Sequence, residues 1–173
     1  MALDTGAFLA DRSIEAIYTS PFLRAIETAG LIASRADAPI YIEQGLCELL
    51  HEEWFPGQPV YVSPFEMQKH YPQIATDYCS RVTPSYPEDE AAGDVDRRCL
   101  ATIEAILNES WHTTLWVGHA ASVGGLARSL MGHCEGVCFE MCGLTQLVNQ
   151  GDEWRVASSG TDHLSITEAE LRA

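Results

Sequence analysis

Two side chains that bind anions well, Arg24 and His119, each follow a predicted β-strand and stand at the turn into a predicted helix. A guanidinium is a planar fork of N–H donors and an imidazole adds one or two more, so the pair suits a phosphoryl group. A helix that begins near Ala121 would add free N–H groups and the positive end of its dipole. Parallel strands would bring both corners to the carboxyl edge of one sheet, where open α/β sheets bind ligands. These residues therefore predict a site for a phosphate-like anion.

The elements that must carry these corners alternate between short apolar strands and amphipathic helices. This order predicts an α/β fold, a three-layer sandwich with a mostly parallel sheet. Strands are expected over residues 14–19, 39–42 and 113–117. The last of them is almost continuously apolar, which favours the centre of the sheet. A hairpin is expected from strands 144–149 and 154–157, with its turn at Gln150-Gly151-Asp152.

The predicted helices flank these strands. Four of them are expected over residues 3–11, 64–70, 88–108 and 122–131. Another runs to about Arg35, with Ser20 as its N-cap and Pro21 at its first position. Within the helix 88–108, four charged residues are assigned to a solvated face: Asp94, Asp96, Arg97 and Arg98. Residues 43–62 combine glutamates with proline and glycine, which is typical of a long loop, here placed over the site.

Composition limits the classes of protein that this chain can be. Its 173 residues are 46% hydrophobic, enough for one domain with a substantial core. The net charge of −15 disfavours nucleic acid and anionic membrane surfaces as partners. Neither a signal peptide nor a stretch approaching the ~20 apolar residues of a membrane span is found. We therefore expect a cytoplasmic protein with reduced thiols and neither a metal nor a cofactor.

Several segments resemble the histidine phosphatase superfamily, whose fold is phosphoglycerate mutase-like. Residues 18–29, YTSPFLRAIETA, resemble its SSPLxRAxQTA segment, and residues 117–121, VGHAA, resemble the corner of its second histidine, xxHGG. Residues 3–6 resemble its LTxxG helix start, and residues 45–48 resemble its catalytic-acid loop. Residues 71–88 resemble the branch of the ecdysteroid-phosphate phosphatases and the C-terminal domains of suppressor-of-T-cell-receptor-signalling proteins. The resemblance covers nearly the whole chain.

The resemblance implies a role for each matching residue. Arg24 would clamp phosphoryl oxygens, and His119 would hold the phosphoryl group and stabilise the charge that develops on it. Glu48 would be the general acid that protonates the leaving oxygen and later helps water to attack. Three nearby carboxylates compete for that role: Glu43, Glu52 and Glu53. The amide of Ala120 would face the phosphate, although the family often has glycine here and a methyl group narrows the pocket.

One part of the family's machinery has no match in these residues. The family's nucleophile is a histidine in an RHG motif that ends its first strand, and the chain contains no Arg-His-Gly. The counterpart of the helix that follows that strand in the family begins here at Leu3. We therefore interpret residues 1–173 as a single histidine phosphatase-like domain, truncated at its N-terminus and lacking the first strand. The remaining histidines follow no N-terminal strand: His51, His70, His112, His133 and His163.

Three functional hypotheses follow. The first is a phosphomonoester hydrolase of the histidine phosphatase type, with residues 1–173 alone inactive. The second is a catalytically dead domain that binds phosphate or a protein, and an α/β interaction domain without a ligand also stays open. A serine hydrolase is excluded because no Gly-x-Ser-x-Gly occurs. Expected partners are a phosphorylated small molecule or phosphoprotein, and a second copy or another chain at the sheet edge left open.

The loop 45–62 also carries three aromatic residues whose function its sequence leaves open. They are Trp54, Phe55 and Tyr61. Ordinary packing and contact with an aromatic or steroid-sized leaving group are both compatible with their positions.

Overall fold

A parallel three-stranded sheet lies between two pairs of helices. The computed structural model describes residues 1–151, 153–166 and 170. The elements are α1 (Ala2–Leu9), β1 (Ala16–Thr19), α2 (Leu23–Ala36), β2 (Ile40–Ile42), a 3₁₀ helix (Gln44–Leu46), α3 (Pro64–Gln68), α4 (Asp94–Leu107), β3 (Thr114–Val117), α5 (Ala120–Met131), β4 (Leu144–Asn149) and β5 (Trp154–Gly160).

The sheet has the order β2-β1-β3, with both pairs parallel. Ile17 of β1 lies opposite Ile40 on one side and Leu115 on the other. The prediction that strand 113–117 lies at the centre is therefore wrong, because within the described part of the chain β1 occupies that place and β3 is an edge. A continuously apolar strand indicates that both of its faces are covered by helices. It does not indicate whether one or both of its edges pair with a neighbouring strand.

Helices cover both faces of this sheet and divide the core into two clusters. Alternate residues of β1 enter opposite clusters, as the two-residue period of a strand requires. On the side of α1 and α2 the cluster includes Leu9, Ile17, Ile26, Ile40 and Leu115. On the side of α4 and α5 it includes Tyr18, Leu46, Val95, Cys99 and Leu126. The predicted three-layer α/β fold is confirmed.

Two helices begin later than the sequence predicts. Helix α2 starts at Leu23, after an extended Phe22 with ψ of 135°, because the Ser20 N–H still pairs with the Val117 carbonyl of β3. Ser20 is therefore not its N-cap. Helix α4 starts at Asp94, after Gly93 with a φ of +76°. Glu88 lies outside that helix, and its N–H donates to the carbonyl of Leu50 instead.

The C-terminal hairpin forms a second, separate sheet. Strands β4 and β5 pair antiparallel, as predicted, and β5 continues to Gly160. Asp152, assigned to the turn, lies outside the described residues. Among the described residues, β3 pairs only with β1 and β4 only with β5, so each presents an unpaired edge. None of the described helices is long and apolar enough to cross a membrane.

Candidate functional site

The carboxyl ends of β1 and β3 bring Arg24 and His119 into contact. These strands run in parallel register, with Thr19 opposite Val117, so the segments that follow them emerge side by side. A terminal nitrogen of Arg24 lies 3.0 Å from Nδ1 of His119. The guanidinium side chain is 59% exposed and can turn toward a ligand. The shared corner thus combines a buried imidazole with an exposed cation.

The hydrogen bonds around His119 define its neutral form. Because a guanidinium can only donate, Nδ1 accepts from Arg24 and the ring proton lies on Nε2. Nε2 lies 2.8 Å from the Ser20 hydroxyl, which accepts that proton. Burial first, and then the charges of Arg24 and Arg98, together lower the pKa of His119 to about 4. The imidazole is therefore an uncharged donor near neutral pH.

Of the four candidate acids, Glu48 is the one that lies at this corner. Its Oε2 is 3.6 Å from Arg24 and 3.7 Å from Nδ1 of His119. Since His119 is neutral, only the contact with Arg24 is an ion pair, and the exposure of Arg24 makes that pair weak. An anion can therefore replace Glu48 as the partner of Arg24. The side chains of Glu52 and Glu53 belong to exposed residues of the following loop.

Glu43 is buried in a different setting, which makes it a structural carboxylate. It is 0% exposed and accepts hydrogen bonds from five donors: the N–H groups of Gly45, Arg81 and Val82 and the hydroxyls of Tyr78 and Ser80. These bonds attach the segment 78–82 to the start of the 3₁₀ helix. They satisfy both carboxylate oxygens and leave no proton-transfer role at the site.

The N-terminus of α5 completes the corner. Ala120 is its first residue and is exposed, and the first-turn N–H groups of a helix have no intrahelical acceptor. The His119 N–H donates to the Ser122 hydroxyl at 2.9 Å, which fixes the start of the helix. Gly118 is required just before it, because a Cβ there would meet Ser122 Oγ at 2.5 Å.

A buried ion pair holds the segment that carries Glu48. The side chains of Arg98 and Glu88 are 4% and 1% exposed and meet at 2.6 Å. Arg98 also donates to the carbonyls of Gly45 and Cys47 at 2.6 and 3.1 Å. Glu88 accepts from the N–H of Leu50 at 3.0 Å. The backbone on both sides of Glu48 is thus fixed, and the prediction that Arg98 lies on a solvated face is wrong.

Sequence reasoning missed four residues of this site: Ser20, Phe22, Glu88 and Arg98. The ring of Phe22 lies edge-on to His119, with centroids 5.3 Å apart, and under the Arg24 guanidinium at 4.9 Å. For Arg98 the helical spacing could have predicted burial, because Arg98 follows Val95 by three residues and therefore lies on the same buried face of α4. Nothing local indicated the contacts of the other three.

No metal site accompanies this corner within the described part of the chain. There, no group of three or more His, Cys, Asp or Glu side chains is arranged to hold an ion. The groups at hand for chemistry are a cation, a neutral imidazole, a carboxylate and a helix N-terminus.

The sequence is similar to known proteins over most of its length. The sequence model of one family, the histidine phosphatase superfamily (branch 1), matches residues 1–162. A curated relative, the transcription factor tau 55 kDa subunit of Saccharomyces cerevisiae, is 31% identical over 129 residues. That match includes 71% of this chain and 30% of the relative, so the chain spans less than a third of that protein's length.

Solved structures share the fold at low identity. The ecdysone phosphate phosphatase of Bombix mori, in complex with tungstate, has a TM-score of 0.71 and 22% identity, covering 90% of this chain and 66% of its own. YhfR of Bacillus stearothermophilus has a TM-score of 0.65 and 20% identity, covering 94% and 82%. A mycobacterial glucosyl-3-phosphoglycerate phosphatase, in complex with VO3, has a TM-score of 0.59 and 18% identity, covering 90% and 81%.

Proposed function

The chain belongs to the histidine phosphatase superfamily, and we propose that its Arg24–His119 corner binds the phosphoryl group of a phosphate monoester. The observation that carries this proposal is the 3.0 Å contact of Arg24 with His119, two residues brought together only by the fold. Arg24 exchanges its weak bond to Glu48 for phosphoryl oxygens. The N–H of Ala120 supplies a further donor, and His119 adds one when its ring proton lies on Nδ1, the nitrogen that faces Arg24.

Each group then has a step in phosphoryl transfer. Donors aimed at the phosphoryl oxygens stabilise the charge that develops on them. When a nucleophile accepts the phosphoryl group and the P–O bond to the ester oxygen breaks, a protonated Glu48, beside Arg24, is placed to protonate that oxygen. When water later displaces the nucleophile from phosphorus, the Glu48 carboxylate takes a proton from that water.

For residues 1–173 we propose binding without efficient turnover. Phosphoryl transfer in this family passes through a nucleophilic histidine, and His119 is occupied as a donor here. In the described part of the chain, the contacts of the other five histidines involve neither Arg24 nor Glu48 nor His119. The polar and ring contacts of three of them lie elsewhere: His51 with Glu53 and Trp54, His133 with Glu135, His163 with Thr5 and Phe8.

Binding is tested with inorganic phosphate or vanadate by titration calorimetry. We expect Arg24→Ala to weaken the affinity by at least about tenfold, because a charge-assisted hydrogen bond contributes about 1.5–3 kcal/mol. Arg35→Ala is the matched control, since Arg35 is an exposed arginine in the last turn of the same helix. Absence of binding to the unmodified protein, or equal affinity in Arg24→Ala, contradicts the proposal.

Turnover is a separate measurement. We expect residues 1–173 to hydrolyse p-nitrophenyl phosphate no faster than Arg24→Ala does. Hydrolysis that is clearly above background and is lost in Arg24→Ala or His119→Ala would establish that a nucleophile is present. That outcome would leave the phosphate site in place and remove only the proposal of inactivity.

A non-catalytic role is the second candidate function. Its support is the relative whose name places it in a transcription factor rather than among phosphatases.

We also propose that the unpaired edges of β3 and β4 accept an additional strand, from a second copy or another chain, because exposed strand edges tend to pair. Concentration-dependent association in analytical ultracentrifugation is expected, and a strict monomer counts against self-pairing. The cytoplasmic location stays a prediction.

A further inference from the structure

An aromatic cluster adjoins the phosphoryl corner. It consists of Phe22, Phe55 and Tyr61, and we call it the ring cluster. The centroid of Phe22 lies 5.6 Å from that of Phe55 and 5.7 Å from that of Tyr61. Phe22 also contacts the His119 ring and the Arg24 guanidinium, so the ring cluster and the anion site share a wall.

We propose that this ring cluster binds an uncharged aromatic leaving group of the phosphate ester, an inference that rests on the proposed function. The position of the general acid, Glu48, indicates on which side of the phosphoryl group the leaving group lies. Glu48 must lie near the ester oxygen to protonate it, so the leaving group extends toward the segment that carries Glu48. That same segment supplies Phe55 and Tyr61, seven and thirteen residues further along the chain.

Apolar surface beyond the ring cluster supports this assignment. Two residues next to its members in the chain are exposed: Leu23, at 46%, follows Phe22, and Trp54, at 60%, precedes Phe55. Large apolar side chains at solvent next to a polar site are typical of a surface that contacts a ligand. Aromatic rings attract other rings in edge-on or offset arrangements beyond the area that they bury.

The charge distribution disfavours leaving groups that carry a second anion. In the described residues, four arginines are paired with carboxylates away from the Arg24–His119 corner: Arg81–Glu109, Arg97–Asp94, Arg128–Asp96 and Arg155–Glu153. Arg98, which holds the Glu48 segment, is buried and paired with Glu88. In the loop that precedes Phe55, the exposed charged residues are the carboxylates Glu52 and Glu53. A carboxylate or second phosphate on the leaving group would therefore meet repulsion.

The test compares four ligands on the unmodified protein by titration calorimetry: inorganic phosphate, phenyl phosphate, glycerol 2-phosphate and 3-phosphoglycerate. We expect phenyl phosphate to bind about tenfold more tightly than glycerol 2-phosphate, and 3-phosphoglycerate to bind least tightly of the esters. In Phe55→Ala the ratio between the first two esters should fall close to one. Phe65→Ala, which truncates a phenylalanine that is 66% exposed in α3, should keep the ratio.

The outcomes separate the two proposals. If inorganic phosphate binds and the esters bind equally, the phosphoryl site stands and the aromatic subsite is overturned. Binding of none of the four ligands overturns both. If Phe55→Ala does not fold, Phe55→Leu takes its place, and the ligand ratios of the unmodified protein already decide between an aromatic subsite and none.

Discussion

Replacing Arg98 with methionine is expected to lower the free energy of unfolding by about 3–5 kcal/mol, the usual effect of breaking a buried ion pair. The substitution leaves the Glu88 carboxyl group, whose side chain is 1% exposed, without its cationic partner. It also removes the donor that satisfies the carbonyls of Gly45 and Cys47. Denaturant unfolding at neutral pH measures the change.

The neighbouring arginine is a matched control for this prediction. Arg97 has a side chain that is 65% exposed and pairs with Asp94 one turn away, so Arg97→Met should change stability by no more than about 0.5 kcal/mol. The double variant Glu88→Leu with Arg98→Met should regain part of the loss, because the stranded charge is gone. Equal effects of Arg97→Met and Arg98→Met would mean that the pair does not hold the Glu48 segment.

Arg98 also illustrates what the sequence left undetermined. Its position in α4 matches the buried face, but its side chain is of a type that almost always lies in water. A buried arginine needs a partner, and that partner, Glu88, lies ten residues earlier in an irregular segment whose structure no local pattern predicts. Only the tertiary fold reveals that the two residues meet below the segment of Glu48.

Local signals, in contrast, were sufficient for the corners themselves. Arg24 and His119 each follow an apolar strand and lie at or near a helix start. This strand–helix pattern can be recognised from about a dozen neighbouring residues, and it predicts that each side chain lies at the end of a strand where a ligand can bind. Whether a strand is central or at an edge depends on pairing across long distances in the chain, which explains the error for β3. The bond from Ser20 to His119 likewise joins two corners that are separate in sequence.

The titration of His119 is expected to change protein stability by about 3 kcal/mol between pH 6.5 and pH 4. Burial holds the pKa of His119 at about 4 in the native protein, against about 6.5 in the unfolded chain. Between these values the unfolded chain binds more protons, so stability falls as the pH falls and the effect is complete below about pH 4. Above about pH 7.5 the imidazole is neutral in both states and contributes no pH dependence.

A variant without this imidazole isolates the effect. In His119→Gln the drop in unfolding free energy from pH 6.5 to pH 4 should be smaller than in the unmodified protein by about the same 3 kcal/mol, since carboxylates titrate in both. Identical pH profiles would mean that His119 is solvated and charged.

Bound phosphate should raise the pKa of His119, because a neighbouring anion favours the imidazolium. An upward shift of the His119 ring titration in NMR spectra with phosphate, lost in Arg24→Ala, would link this buried group directly to the anion.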